Sequence, residues 1–88
     1  NTYVHSIYVY SATSDRLVTH IGENKRGEFP DNNWFDNYHA ITEDRIVRCF
    51  RAYANTFPYV ISLIKPLYLF GLEKRYGAIV INFNIDEL

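Results

Sequence analysis

Two stretches decide the fold: residues 57–70, FPYVISLIKPLYLF, and residues 77–85, GAIVINFNI. Both are rich in Val, Ile, Leu, Phe and Tyr and are bounded by glycine, which favours extended strands over helices. A short polar segment, residues 71–76, joins them, so the expectation is two central antiparallel strands of one sheet. Pro66 suits an edge or a bulge better than a fully paired position, and the ladder is expected to be disturbed near Lys65 and Pro66. Asp86 follows the second run, where an aspartate can cap a helix that begins as the sequence stops.

Upstream of these runs the chain alternates strand and turn signals. Residues 3–10 (YVHSIYVY) set His5, Ile7 and Val9 against Ser6, Tyr8 and Tyr10, a strand with one greasy face. Residues 11–15 (SATSD) read as a polar turn and residues 16–21 (RLVTHI) as the returning strand, which makes a hairpin. Glycine, charge and asparagine then dominate residues 22–33, with Pro30 near the end, and predict a loop. Trp34, Phe35 and Tyr38 lie at helical spacing, so residues 34–40 predict a short helix capped by Asp31, Asn32 or Asn33. Residues 41–55 satisfy two patterns. As a helix they would be capped by Thr42 and would align Ile46, Phe50, Tyr53 and Phe57; as a strand they would alternate Val47, Cys49, Arg51 and Tyr53 with the residues between. The long apolar run needs a further strand beside it, or it is left as an unpaired edge.

Composition narrows the function classes. The 88 residues make one domain, and a chain of this size buries roughly 60–65% of its unfolded surface, enough for a sheet covered on one side. A hydrophobic share of 48% and an aromatic share of 17% exclude disorder and suggest large rings around a core or pocket. The net charge of -1 argues against a broad surface for nucleic acid or acidic membrane. Cys49 is the only cysteine, which rules out an internal disulfide and a thiolate metal cage. Residues 1–10 carry no basic segment or cleavage site, and the longest apolar run falls short of the roughly 20 residues of a membrane span, so a soluble domain is expected.

The pieces SIYVYS (residues 6–11), NWFDNY (33–38), VISLIKPL (60–67) and GAIVINFNIDEL (77–88) resemble the Cache sensor domains of bacterial membrane receptors. They look most like those of Gram-positive sensor histidine kinases and membrane-anchored AraC-type regulators. The resemblance implies an α+β, PAS-like fold: about five antiparallel strands, with short helices and loops covering one face. It implies that residues 45–53 form a strand, and that the leading membrane-proximal helix of full Cache domains is missing from residues 1–88. It also implies a position outside the cell membrane in a membrane-anchored parent, with a small ligand held between the sheet and its covering loops. In the amino-acid-binding branch an arginine precedes the Trp by two residues and an aspartate opens the long strand. Asn32 and Asn55 stand at those places, and each lost charge-assisted bond is worth roughly 1.5–3 kcal/mol. A neutral, hydroxyl-rich guest such as a sugar is therefore favoured over an amino acid.

Candidate ligand-binding residues are Trp34, Phe35, Tyr38, Tyr53, Asn55 and Tyr59. The rings offer stacking faces and the tyrosines and asparagine offer hydrogen bonds; ordinary packing is the bland reading of each. Tyr68 belongs to the same class, and Lys65 is expected to reach solvent. No catalytic residue, metal or cofactor is expected. His5, His20 and His39 lack metal spacing, and Asp36 and Thr42 occupy places where a calcium loop needs glycine and glutamate. Cys49 lies in an apolar pattern without a nucleophile signature, and Asp86 with Glu87 makes a poor acid–base pair. Arg45, Arg48 and Arg51 are too few for nucleic-acid recognition and split across two faces if extended. The leading expectation is thus a small-molecule sensor of a signalling protein. The alternative is a cytosolic PAS-like platform that makes a homodimer through an exposed sheet face, and a small enzyme ranks last.

Overall fold

The computed structural model describes residues 3–69 and 74–85. Six strands follow one another: β1 (Val4–Ser11), β2 (Arg16–Thr19), β3 (Gly22–Lys25), β4 (Val47–Ala52), β5 (Tyr59–Tyr68) and β6 (Arg75–Asn84). They form a single sheet in the order β3-β2-β1-β6-β5-β4, and every pairing is antiparallel. Among the described residues there are also one short helix, α1 (Trp34–His39), and 3-10 turns at Arg26–Glu28 and Tyr53–Asn55.

The α+β, Cache-like expectation is corrected by this architecture. The domain is mostly sheet, with six strands in place of about five and only 16% helix, unlike a PAS or Cache fold. The additional strand is β3, within residues expected to be loop. Its sequence GENK carries no strand signal because all of its side chains are exposed or half-buried, and backbone pairing with β2 from Arg16↔Lys25 to Thr19↔Gly22 is what orders it.

The two runs that set the sheet are β5 and β6, paired from Val60↔Asn84 to Tyr68↔Arg75. Both are interior strands, and β4 fills the place beside β5, so the strand pattern prevails over the helical one in residues 47–52. Pro66 stays in register opposite Ala78, and the irregularity falls one step later, between Leu67 and Tyr68. The ladder tolerates this proline because β4 pairs with β5 only as far as Ile64, which leaves that flank of β5 without a partner at Pro66. Gly77 lies opposite Ser11, where an added Cβ would run into the Tyr10 carbonyl oxygen, so only glycine lets β1 and β6 approach there. The helix cap at Asp86 and the start of the turn at residues 71–73 lie outside the described residues.

Cross-strand register assigns the two faces. On the inner face, one row runs Leu17–Tyr10–Ala78–Pro66 and the next runs Tyr8–Val80–Ile64–Val47. A third row, Ser6–Asn82–Ser62–Cys49, is mostly polar. Residues 26–41 cross this face as a roof, and Phe29, Trp34, Tyr38 and Ile41 pack onto Tyr8, Tyr10, Leu17, Ile64, Ala78 and Val80 in one core. Trp34 is completely buried and meets Tyr10 edge-on at 5.4 Å. The outer face bears Ile7, Val9, Val18, Ile61, Leu63, Ile79, Ile81, Phe83 and Phe50, and no segment of the described chain covers it.

Candidate functional site

The polar row of the inner face meets the roof in a buried clasp. β4 runs extended through Arg51, so alternation turns its side chain inward while Arg48 and Phe50 face outward. The roof delivers Asp31 over it from just before α1. Arg51 Nη1 donates to Asp31 Oδ1 at 2.6 Å and Nη2 to Asp31 Oδ2 at 2.8 Å, a bidentate pair with both residues buried. Nη1 also donates to Asn33 Oδ1 at 2.7 Å, Nη2 to Asn82 Oδ1 at 2.8 Å, and Nε to Ser62 Oγ at 2.8 Å. All five N–H donors of the guanidinium are therefore used within the protein. Asp31 accepts two further bonds, from the Tyr8 hydroxyl at 2.7 Å and the Ala54 amide at 2.8 Å. Ser62 Oγ donates to Asn82 Oδ1 at 2.6 Å, and Asn82 Nδ2 donates to Ser6 Oγ at 2.9 Å, which closes the row.

Burial raises the Asp31 carboxyl, but the Arg51 guanidinium, the Ala54 amide and the Tyr8 hydroxyl together hold it below its ordinary value. Burial pushes the Tyr8 hydroxyl up, and its bond to Asp31 adds to the rise. The pair is thus a fixed cation and a fixed anion, with no group poised to exchange a proton near neutral pH. Cys49, half-buried in the same row, has its thiol raised by burial, which suppresses the nucleophilic thiolate.

The clasp also holds strained backbone. Ala54 and Asn55 both adopt left-handed conformations, at φ 52° and φ 64°, in the turn between β4 and β5. Ala54 is tied to Asp31, while Asn33 Nδ2 donates to Asn55 Oδ1 at 2.9 Å and to the Ala52 carbonyl at 2.8 Å. Asn33 occupies the cap position of α1 yet makes no side-chain cap bond, because its amide is committed to Arg51 and to this turn. At the opposite end of the roof, Asp15 accepts from Arg26 Nε at 2.7 Å and from the Tyr10 hydroxyl at 2.7 Å. Burial together with Asp15 pushes the Tyr10 hydroxyl up to about 12.

The sequence-predicted residues divide among four places. Trp34 is in the core, its Nε1 donating to the Asp31 carbonyl at 2.8 Å. Tyr53, half-buried against His5 at 4.4 Å, and exposed Asn55 flank the clasp. Phe35 and Tyr38 line a groove of about 410 Å³ on the flank of the roof, with Tyr10, His39, Lys74 and Arg75. Tyr59 is on the outer face against Phe50, separated from the others by the sheet. Sequence reasoning missed Arg51, Asp31, Asn82, Ser62 and Tyr8 as a unit. Their one signal is a polar residue at an inward position of an apolar strand, as at Ser62 and Asn82.

The space between Trp34 and the sheet is filled by side chains, so the room beside the candidate residues Phe35 and Tyr38 is the groove outside the roof. Arg75 donates to the Tyr38 carbonyl, and its guanidinium carbon lies 4.5 Å from the Tyr38 ring centre. Arg26 covers the Phe35 ring at 3.8 Å. Among the described residues, no carboxylate pairs with Lys74 or Arg75, no three His, Cys, Asp or Glu side chains converge as a metal site, and no helix is long and apolar enough to cross a membrane. No family model matches the chain, and neither a curated protein nor a solved structure shows significant similarity to it.

Proposed function

We propose that the chain is a non-catalytic sensing module of a bacterial membrane signalling protein, placed outside the membrane, with the roof as its moving part. The carrying observation is that a buried ion pair and two left-handed residues, Ala54 and Asn55, meet at one joint, where Asp31 and Asn33 fasten the roof to β1 and β4 directly, to β5 and β6 through Arg51, and to the Ala54–Asn55 turn. Such a joint has two discrete arrangements, fastened and released, and a guest on the flank of the roof biases them only by its difference in affinity for the two. Phe35 and Tyr38 supply apolar walls to that flank, and Lys74 and Arg75 supply positive charge. The guest best suited is a small molecule with an apolar body and an acidic group, in place of the neutral sugar favoured from sequence.

Titration of the protein with phenylacetate and with glucose, followed by amide and aromatic NMR shifts, tests this. Phenylacetate is expected to move Phe35, Tyr38 and His39, and Lys74→Glu is expected to weaken it at least tenfold. If neither compound shifts these residues at millimolar concentration, the sensing reading fails.

A further inference from the structure

We propose that His5 is a proton sensor for the clasp, its imidazolium form drawing the roof and the β4–β5 turn more tightly onto the sheet. The response needs no guest in the groove, so it stands or falls apart from the sensing reading above. A bulge makes it possible. Val4 lies opposite Phe83 and Ser6 opposite Asn82, which leaves His5 as the one residue of β1 without a place in the ladder to β6. Strict alternation would send His5 to the outer face with Ile7 and Val9; the extra residue instead brings its ring to the inner side with Ser6. There Nδ1 lies 2.9 Å from Ser6 Oγ, and the ring meets that of Tyr53 at 4.4 Å. His5 is half-buried and, together with His20, lines an open hollow beside β1 beyond the end of its pairing with β2, so protons from solvent reach it.

From Ser6 a chain of hydroxyls runs to the clasp. Ser6 Oγ accepts from Asn82 Nδ2 at 2.9 Å, and its own proton can go either to His5 Nδ1 or to the Tyr8 oxygen, 3.4 Å away. Tyr8 in turn donates to Asp31 at 2.7 Å. A neutral imidazole has one bare nitrogen; whenever that is Nδ1, it takes the Ser6 proton and Tyr8 goes without. The imidazolium carries hydrogen on both nitrogens, so Nδ1 donates to Ser6 and Ser6 turns to Tyr8. Every bond then runs one way, from His5 through Ser6 and Tyr8 to Asp31, and each polarises the next. Tyr53 acts in the same sense, because its ring attracts a cation at that distance and it begins the turn that Asp31 and Asn33 hold. The charges beyond the relay are Asp31, which favours the imidazolium, and Arg51, which opposes it; as a bidentate pair they largely cancel at His5. Among the described residues no carboxylate makes an ion pair with His5.

Hydrogen exchange followed by NMR, with no ligand added, tests the inference directly. The Ala54 amide and the Trp34 Nε1 proton both donate to Asp31 and report how firmly the roof is fastened. After correction for intrinsic exchange rates, their protection in the wild-type chain is expected to be about threefold greater at pH 5.5 than at pH 7.5, the range over which imidazole takes up its proton. The same gain is expected in His20→Gln and in His39→Gln, which remove the other two histidines. His5→Gln, at a half-buried position outside the ladder, is expected to fold normally and to abolish the gain, as is Ser6→Ala, which keeps the histidine but cuts the relay. Wild-type protection that is equal at the two pH values, or lower in acid, overturns the inference. A gain that survives His5→Gln or Ser6→Ala overturns it too, as does one lost with His20→Gln or His39→Gln.

Discussion

Asp31 shows how much one side chain is asked to do. Its two oxygens accept from Arg51 twice, from Tyr8 and from Ala54, all within 2.8 Å, and the residue is fully buried. Burying a carboxylate and a guanidinium has a desolvation cost that good geometry only offsets, so the pair is better understood as fixing where the roof sits than as added stability. Removing one partner is a different matter, because it strands the other charge: Asp31→Asn is expected to cost about 3–5 kcal/mol at neutral pH. The acid dependence follows from the lowered Asp31 carboxyl. In the unfolded chain the group titrates near its ordinary value of about 3.9, so its contribution is whole above that pH. It is lost as the pH falls through the lower folded value. Urea midpoints for wild type and Asp31→Asn should therefore keep their separation from pH 7 down to about pH 4 and begin to converge only below it. A separation that shrinks already between pH 7 and about pH 5 would show that another group, and not this carboxylate, sets the difference.

Among the elements, the legible ones were those whose signal is local. β5 and β6 announce themselves by apolar runs, and α1 by aromatic spacing, and all three are where residues 57–70, 77–85 and 34–40 place them to within a few positions. β3 was illegible because GENK is ordered by a neighbour's backbone and not by its own side chains. Arg51 was left without a role for a related reason: the strand pattern sets it on the face of Val47 and Cys49, but its partner Asp31 arrives from 20 residues earlier and has no local signal. The β4–β5 turn hides its strain in the same way, since nothing in the sequence marks Ala54 as left-handed. That conformation costs an alanine about 1–2 kcal/mol, whereas glycine adopts it freely and loses about 0.5–1 kcal/mol of chain entropy instead. Ala54→Gly keeps the amide that donates to Asp31, so it is expected to stabilise the domain by about 0.5–1 kcal/mol. A melting temperature lowered by this change would mean that the turn is not held as described.

Taken as a whole, the molecule is a sheet with two unequal faces, and its two layers are joined unequally. Apolar contact binds the Trp34 end of the roof to Tyr8, Tyr10, Ile64 and Val80, whereas the approach to α1 and the β4–β5 turn depend on Arg51. Opening should therefore be graded, with the roof and turn exchanging their amides before β6 and β5, which pair on both sides over most of their length, and before β1, which pairs with β6 along its length and with β2 from Val9 to Ser11. Arg51→Met separates the two kinds of attachment. It keeps an unbranched side chain on β4 but removes the five bonds that the guanidinium donates to Asp31, Asn33, Ser62 and Asn82. In native-state hydrogen exchange, protection at residues 31–33 and 53–55 is expected to fall at least tenfold further than protection in β1 and β6. The groove beside Phe35 and Tyr38 should loosen with it, and phenylacetate should then bind differently to the released roof. A uniform loss of protection across all six strands would mean that roof and sheet open as one body, and a guest on the flank of the roof would then have no separate element to move.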